Sequence, residues 1–252
     1  MVRFLLIGIS VILISGCETA TTQRTESSSA GFTKTAKAEI LAQNLSFDAE
    51  TGEIAYTLPE DAYVRIRLGI KNGGPLVTHI LDWEYRSKGA HVERWNGVVE
   101  GINGDLRQRK DLMINFLAVS VEKNEEDLSK LSIRKAPKFS ISFFEPLEKN
   151  TLGLPVIRGL TPIKVILSPE DEHWFSTIRY EIAMFIDQIF LMEEEEGMSP
   201  FTYYLNTKNM PDGVHTLTVN VVSYEGDAAA LNMLVLVDNT SLTAGEQAKL
   251  NE

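Results

Sequence analysis

The sequence predicts an all-β protein made of two antiparallel β-sandwiches, and three observations carry that prediction. Apolar residues recur with a period of two through most of the chain. Turn-forming residues interrupt the alternation at short intervals, and no apolar stripe of helical period runs for a useful length. The 252 residues leave room for two units of about 100 residues, each able to bury its own core. A hydrophobic fraction of 44% with 23% charged residues excludes wholesale disorder and a polytopic membrane protein.

In the first unit, Val64, Ile66, Leu68 and Ile70 alternate with Tyr63, Arg65, Arg67 and Gly69. The pattern predicts a strand with one buried and one wet face, as antiparallel sandwiches require. Asn72-Gly73-Gly74, Asn96-Gly97 and Asn103-Gly104 tolerate positive φ and mark hairpin loops. Further strands are predicted over residues 76–83, 91–95 and 112–121. Residues 122–138 are dense in charge, carry Pro137 and read as a linker, with one helical turn expected over residues 128–131. Few apolar residues there could weld the flanking units, so each is expected to fold separately.

Alternation resumes at Phe139, Ile141 and Phe143. Strands are predicted over residues 163–167, 178–187, 201–206, 215–222 and 231–237. In the central one, Ile178, Tyr180, Ile182, Met184 and Ile186 share a face. Met210-Pro211-Asp212-Gly213 is a turn in which proline presets φ at the first corner. Residues 240–252 are small and polar and read as a frayed tail.

The N-terminus has a different character. Met1-Val2-Arg3 is positively charged, residues 4–14 are apolar, and Ile14-Ser15-Gly16-Cys17 ends in the sole cysteine. The apolar run is shorter than the roughly 20 residues that span a bilayer, and one cysteine permits no intrachain disulfide or cysteine metal cage. This segment resembles the bacterial lipoprotein signal, with residues 14–17 filling the lipobox. The resemblance implies a signal peptide over residues 1–16, cleavage before Cys17, and lipidation of Cys17 with diacylglycerol and a further chain such as palmitate. Several chains make membrane anchoring stable where one would be marginal. Glu18, where aspartate would favour inner-membrane retention, implies the outer membrane of the cell envelope. Residues 17–38, rich in Thr, Ser, Ala and Gln, form a tether with a reach of roughly 25 Å.

Residues 39–121 present, in order, Phe47-Asp48, Ile54, Tyr56, Leu58-Pro59, Val64, Ile66, residues 74–77 (Gly-Pro-Leu-Val), Gly89, His91 and Trp95-Asn96-Gly97. This order and spacing resemble the immunoglobulin-like (Ig-like) domain of the flagellar hook-capping protein, with Asn96 replacing the usual aspartate. Residues 139–239 carry Tyr180, Phe185-Ile186-Asp187, residues 212–219 (Asp-Gly-Val-His-Thr-Leu-Thr-Val) and Val237-Asp238-Asn239, and resemble the bacterial Ig-like modules of cell-surface proteins. The two resemblances imply Ig-like sandwiches in both units.

A net charge of −11 and the lack of any Lys/Arg cluster argue against a nucleic-acid partner. His79, His91, His173 and His215 have no metal-site spacing, and no Gly-x-Ser-x-Gly elbow nominates a nucleophile. No cofactor, metal or catalysis is therefore expected. Glu170-Asp171-Glu172-His173 could hold a hard cation but reads as a solvated loop after Pro169. Residues 193–196, four glutamates, read as a charged hairpin loop, and Asp48, Glu50 and Glu53 lack calcium-loop spacing. Trp83, Tyr85 and Trp174 are candidate ligand-binding aromatics for sugar stacking, although Trp83 and Tyr85 fit a core or inter-unit surface equally. Trp95 matches a core position. The expected function is a membrane-anchored, non-catalytic scaffold or protein-interaction lipoprotein with an envelope or surface protein partner. The alternative is a polysaccharide or cell-wall binder.

Overall fold

The computed structural model describes residues 42–121 and 133–241. The signal peptide, Cys17, the tether, residues 122–132 of the charged segment and the tail beyond Ser241 lie outside the described residues. What is described is an all-β protein of stacked antiparallel sheets with one short α-helix.

The first half contains β1 (Gln43–Asp48), β2 (Glu53–Leu58), β3 (Ala62–Ile70), β4 (Leu76–Arg86), β5 (Gly89–Arg94) and β6 (Leu112–Ser120). They form two three-stranded sheets, β1-β2-β5 and β4-β3-β6. Period two decides which residues meet between the sheets: Ile54, Tyr56 and Leu58 of β2 pack against Ala62, Val64 and Ile66 of β3. Trp95 leads a second cluster with Leu68, Val77, Val99 and Leu106, which anchors the long loop before β6.

The β1–β2 turn follows local chemistry. The Asp48 carboxylate accepts the Glu50 and Thr51 amides at 2.8 and 3.2 Å. Gly52, at φ +75°, presses so closely on the Trp95 carbonyl that a Cβ would stand 1.9 Å from its oxygen. Asn72 and Gly73 take the positive φ that the β3–β4 turn demands.

The second half contains β7 (Phe139–Phe143), β8 (Val156–Ile157), β9 (Leu160–Leu167), α1 (Pro169–Phe175), β10 (Tyr180–Ile186), β11 (Ile189–Glu194), β12 (Phe201–Asn206), β13 (Gly213–Ser223) and β14 (Ala228–Val237). A five-stranded sheet, β11-β10-β13-β14-β8, covers a three-stranded one, β12-β9-β7. Tyr180, Ile182 and Met184 of β10, with Leu217, Val219 and Val221 of β13, meet Ile163, Val165 and Leu205 in the core.

Four sequence expectations need correction. Asn96-Gly97 and Asn103-Gly104 close no hairpin: both lie in the connection from β5 to β6, which belong to different sheets. The acidic stretch after Pro169 is not a loop but the helix α1. Ser168 caps it, accepting the Asp171 amide at 3.2 Å, Pro169 opens it, and three acids lie in the first turn where the helix dipole welcomes negative charge. Glu193 and Glu194 belong to β11, paired with Ala183 and Ile182; only Glu195 and Glu196 continue into the turn. Finally, β3 has no fully wet face: Arg65, on the side expected to meet water, is 1% exposed. The second half covers it.

Candidate functional site: the junction between the halves

β3 is the central strand of its sheet and carries two arginines two residues apart, so both point the same way. Opposite them, the turn joining β13 and β14 presents Gly226 and Asp227. The chain entering β7 passes alongside.

A bulge in β4 prepares the first half for this contact. Val64 pairs with Glu84 but Ile66 pairs with Leu81, so β4 holds one extra residue there, and Trp83 sits at φ +56°. As a result two adjacent residues, Asp82 and Trp83, both reach Arg65. Its Nε lies 2.9 Å from Asp82 Oδ1, an ion contact whose N–H is poorly aligned for a hydrogen bond. The guanidinium lies 4.5 Å from the centre of the Trp83 ring. Arg65 Nη2 donates to the Arg134 carbonyl, and Nη1 lies 3.5 Å from the Gly226 carbonyl and 3.8 Å from Asp227 Oδ1. A buried guanidinium with two carboxylates and two carbonyls around it is charged and enclosed. Burial pulls its pKa down, and Asp82 and Asp227 oppose that pull.

Arg67 adds a second layer. Its Nη2 donates to the Gly226 carbonyl at 2.7 Å and its Nε donates to His79 Nε2 at 3.1 Å. The second bond requires a lone pair on Nε2, so His79 is neutral with its proton on Nδ1. Burial first, and then the Arg67 charge, push His79 down to about 4. Burial likewise pushes Arg67 down to about 10, helped by Arg65. Burial holds the Asp227 carboxyl above its usual range against the pull of Arg65.

Two asparagines complete the seam. β4 is an edge strand, and its exposed backbone would otherwise invite another strand. Asn220 of β13 accepts the Leu76 amide at 2.8 Å and donates to the Leu76 carbonyl at 2.9 Å; Asn232 of β14 donates to the Val77 carbonyl at 3.0 Å. The side-chain amides thus imitate a neighbouring strand. Gly101, at φ +76°, lies so close to the Asn232 carbonyl that a Cβ would fall 2.1 Å from its oxygen. The end of the charged segment is pinned as well: the Ala136 amide donates to Asp82 at 2.6 Å and Lys135 pairs with Glu84 at 2.9 Å.

Beside this seam lies a cleft of about 310 Å³, lined by Arg134, Lys138, Asp171, Trp174 and Asp227 among others. The Arg134 guanidinium lies 4.0 Å from the centre of the Trp174 ring, whose Nε1 is buried with no hydrogen-bond partner among the described residues.

The structure brings two of the three aromatics named from sequence to this junction. Trp83, 9% exposed, lies under Arg65 on the first-half side, and Trp174 of α1 lies under Arg134 on the other. Tyr85 stands apart: it is 49% exposed, donates to Asp61 at 2.9 Å and meets the Tyr63 ring edge-on at 6.0 Å. Trp95 is in the core, donating to the Val98 carbonyl. His91 lies against the Ser87 carbonyl, and His215 bridges Asp187 and the Pro211 carbonyl. Cys17 lies outside the described residues. Among the described residues no three His, Cys, Asp or Glu side chains converge as a metal set, and no helix is long and apolar enough to cross a membrane.

Sequence reasoning passed over Arg65, Arg67, His79, Asn220, Asn232 and Asp227. A signal was available in two of these places: two arginines inside an aliphatic strand, and an asparagine in the middle of the apolar run of β13.

No family model matches the sequence, and no curated protein matches it. Among solved structures, the endo-β-1,4-mannanase of Thermotoga petrophila is similar over 40% of this chain and 20% of its own, at 15% identity and a TM-score of 0.30. The fibronectin(III)-like modules of CbhA from Clostridium thermocellum are similar over 40% of this chain and 98% of theirs, at 14% identity and a TM-score of 0.28. The chain therefore spans about a fifth of the mannanase it matches.

Proposed function

We propose that this chain is a non-catalytic scaffold of the bacterial cell envelope, anchored by lipid on Cys17 to the outer membrane and presenting two Ig-like sandwiches to a protein partner. The observation that carries this reading is the polar junction. Side chains of β3, β4, β13 and β14 tie the halves together, which suits a spacer that places a binding surface away from its anchor. The lipobox at residues 14–17 and the tether that follows supply the attachment. The two Ig-like resemblances supply modules whose edges and loops serve protein recognition. The polysaccharide-binding alternative rests mainly on Tyr85, because guanidinium groups occupy one face of Trp83 and one of Trp174.

Two experiments test the proposal. Cys17→Ser is expected to leave the precursor uncleaved and without acyl chains, read by mass spectrometry of the membrane fraction; mature, acylated Cys17→Ser protein would refute the anchor. A photo-crosslinking residue placed at Ile189 or Tyr204, both well exposed, is expected to capture one envelope protein reproducibly from intact cells. Capture of glycan alone would support the alternative.

A further inference from the structure

We propose that the junction is a proton-operated latch: protonation of His79 at Nε2 releases the β13–β14 turn from β3, and the halves separate while each keeps its own core. The proposal rests on the junction geometry, which also carries the scaffold reading, but it needs neither the lipid anchor nor a protein partner.

The argument begins with the hydrogen-bond ledger around His79. Arg67 Nε–H points at Nε2 from 3.1 Å, so the site is complete only while that nitrogen keeps its lone pair. A proton arriving there turns the acceptor into a donor. The Arg67–His79 bond breaks, and two N–H groups carrying like charge face each other. Arg67 is also the residue that holds the Gly226 carbonyl, at 2.7 Å. Displacing its guanidinium therefore loosens one of the bonds that tie the second half to the first, beside those of Arg65, Asn220 and Asn232.

The neighbouring charges decide the sign. On β3 these are Arg65 and Arg67, both positive, and β4 contributes Asp82 beside His79. The β13–β14 turn brings Asp227 with Glu225 near it, and the segment before β7 brings Arg134. β6 places Asn115, which does not titrate, opposite Arg67. Asp82 attracts a protonated His79, but burial and the two arginines outweigh it.

In the docked state Arg67 is fixed between His79 Nε2 and the Gly226 carbonyl, and His79 is held down near 4. Once the Gly226 carbonyl leaves, the Arg67 guanidinium is free to turn away from the imidazole, so His79 takes up a proton more readily in the open state; a return to the ordinary value of 6.5 sets the upper limit of the effect. Docking is thus complete above about pH 6.5 and weakens as the pH falls towards 4. The two values correspond to a loss of up to roughly thirtyfold in the docking equilibrium at pH 5. Asp227 acts in the opposite direction: its carboxyl, held above the usual range, favours docking once it protonates. The window for release therefore lies above the pH at which Asp227 titrates.

Amide hydrogen exchange on the full chain between pH 7.5 and 5, corrected for intrinsic rates, tests the latch. The Leu76 amide is held by Asn220 across the junction, whereas the Val64 and Met184 amides lie in strands within the two halves. The protection of Leu76 relative to Val64 and Met184 is expected to fall by up to roughly thirtyfold over this range. In His79→Gln, which keeps an acceptor that does not titrate, the ratio is expected to stay flat. A flat wild-type ratio overturns the proposal whether or not the variant folds, and so does an equal fall in His79→Gln. In the wild type, NMR of the imidazoles must show the loss coinciding with protonation of His79; a loss that follows another histidine overturns the latch.

Discussion

Arg65 is the largest fully buried side chain of the described residues, and its removal exposes the logic of the junction. Arg65→Ala leaves Asp82 without its ion-pair partner and the Arg134 carbonyl without the Arg65 donor, while Arg67 still holds the Gly226 carbonyl. A cost of about 3–5 kcal/mol is expected in urea unfolding. Arg65→Lys keeps the charge but cannot span acceptors on several sides, so most of the loss is expected to persist. By contrast Arg94, 79% exposed and paired with Glu53 at 2.7 Å, is expected to change stability by less than about 1 kcal/mol on truncation. His215 gives a pH signature of its own. Desolvation works against its charged form, but the bonds to Asp187, at 2.6 Å from Nδ1, and to the Pro211 carbonyl outweigh it and raise the pKa above 6.5. A raised histidine stabilises the fold fully below about pH 6.5, and that contribution disappears as the pH rises through its folded pKa. The difference in Tm between the wild type and His215→Gln is therefore expected to be largest at pH 5–6 and to shrink towards pH 9.

Two glycines separate what a turn needs from what packing needs. Both Gly52 and Gly73 have positive φ, but a Cβ on Gly73 meets nothing within 4 Å, while one on Gly52 would stand 1.9 Å from the Trp95 carbonyl oxygen. Gly73→Ala is expected to cost about 1 kcal/mol, from backbone strain alone. Gly52→Ala is expected to cost more than about 2 kcal/mol, because backbone must move; chemical unfolding of the two variants checks the order. The turn at residues 72–74 was legible from Asn-Gly-Gly because its chemistry is local. The contact at Gly52 was not, since Trp95 is distant in sequence. α1 shows a different limit: seven residues make two turns, too few for a 3.6-residue period to appear, although Ser168-Pro169-Glu170-Asp171 holds the cap, the opening proline and the acidic first turn. The predicted strand stops at Trp83 although β4 runs on to Arg86, because strict alternation breaks at the bulge.

At the scale of the whole molecule, the charged segment between the sandwiches predicts separate folding, and the junction predicts coupling. Residues 134–136 are held against β3 and β4 by Arg65, Asp82 and Glu84, and the asparagines bind the β4 edge from the other side. The wild type is accordingly expected to unfold in a single transition by calorimetry at pH 7.5. Asn220→Ala combined with Arg65→Ala is expected to split it into two, each retaining β-type circular dichroism. Two transitions in the wild type would show that the polar seam couples the halves too weakly to matter.

What the sequence determined by itself follows from interactions between near neighbours. Period-two alternation produced the core faces of β3 and β10, and Asn72-Gly73 set where the β3–β4 hairpin closes, whereas Asn96-Gly97, Asn103-Gly104 and Pro211-Asp212-Gly213 turn the chain between strands of different sheets. Together these were enough for the all-β class. The tertiary structure alone decided which polar residues are buried. Taken singly, their strands mark Arg65 and Asn220 as polar residues inside apolar runs but do not record whether they are buried or by what. They become a ligand set for each other's backbone only when β13 and β14 cover β3 and the edge of β4. Burial of a polar side chain depends on a partner that compensates its lost water, and here the partners lie up to 161 residues away along the chain, a separation that no local pattern records.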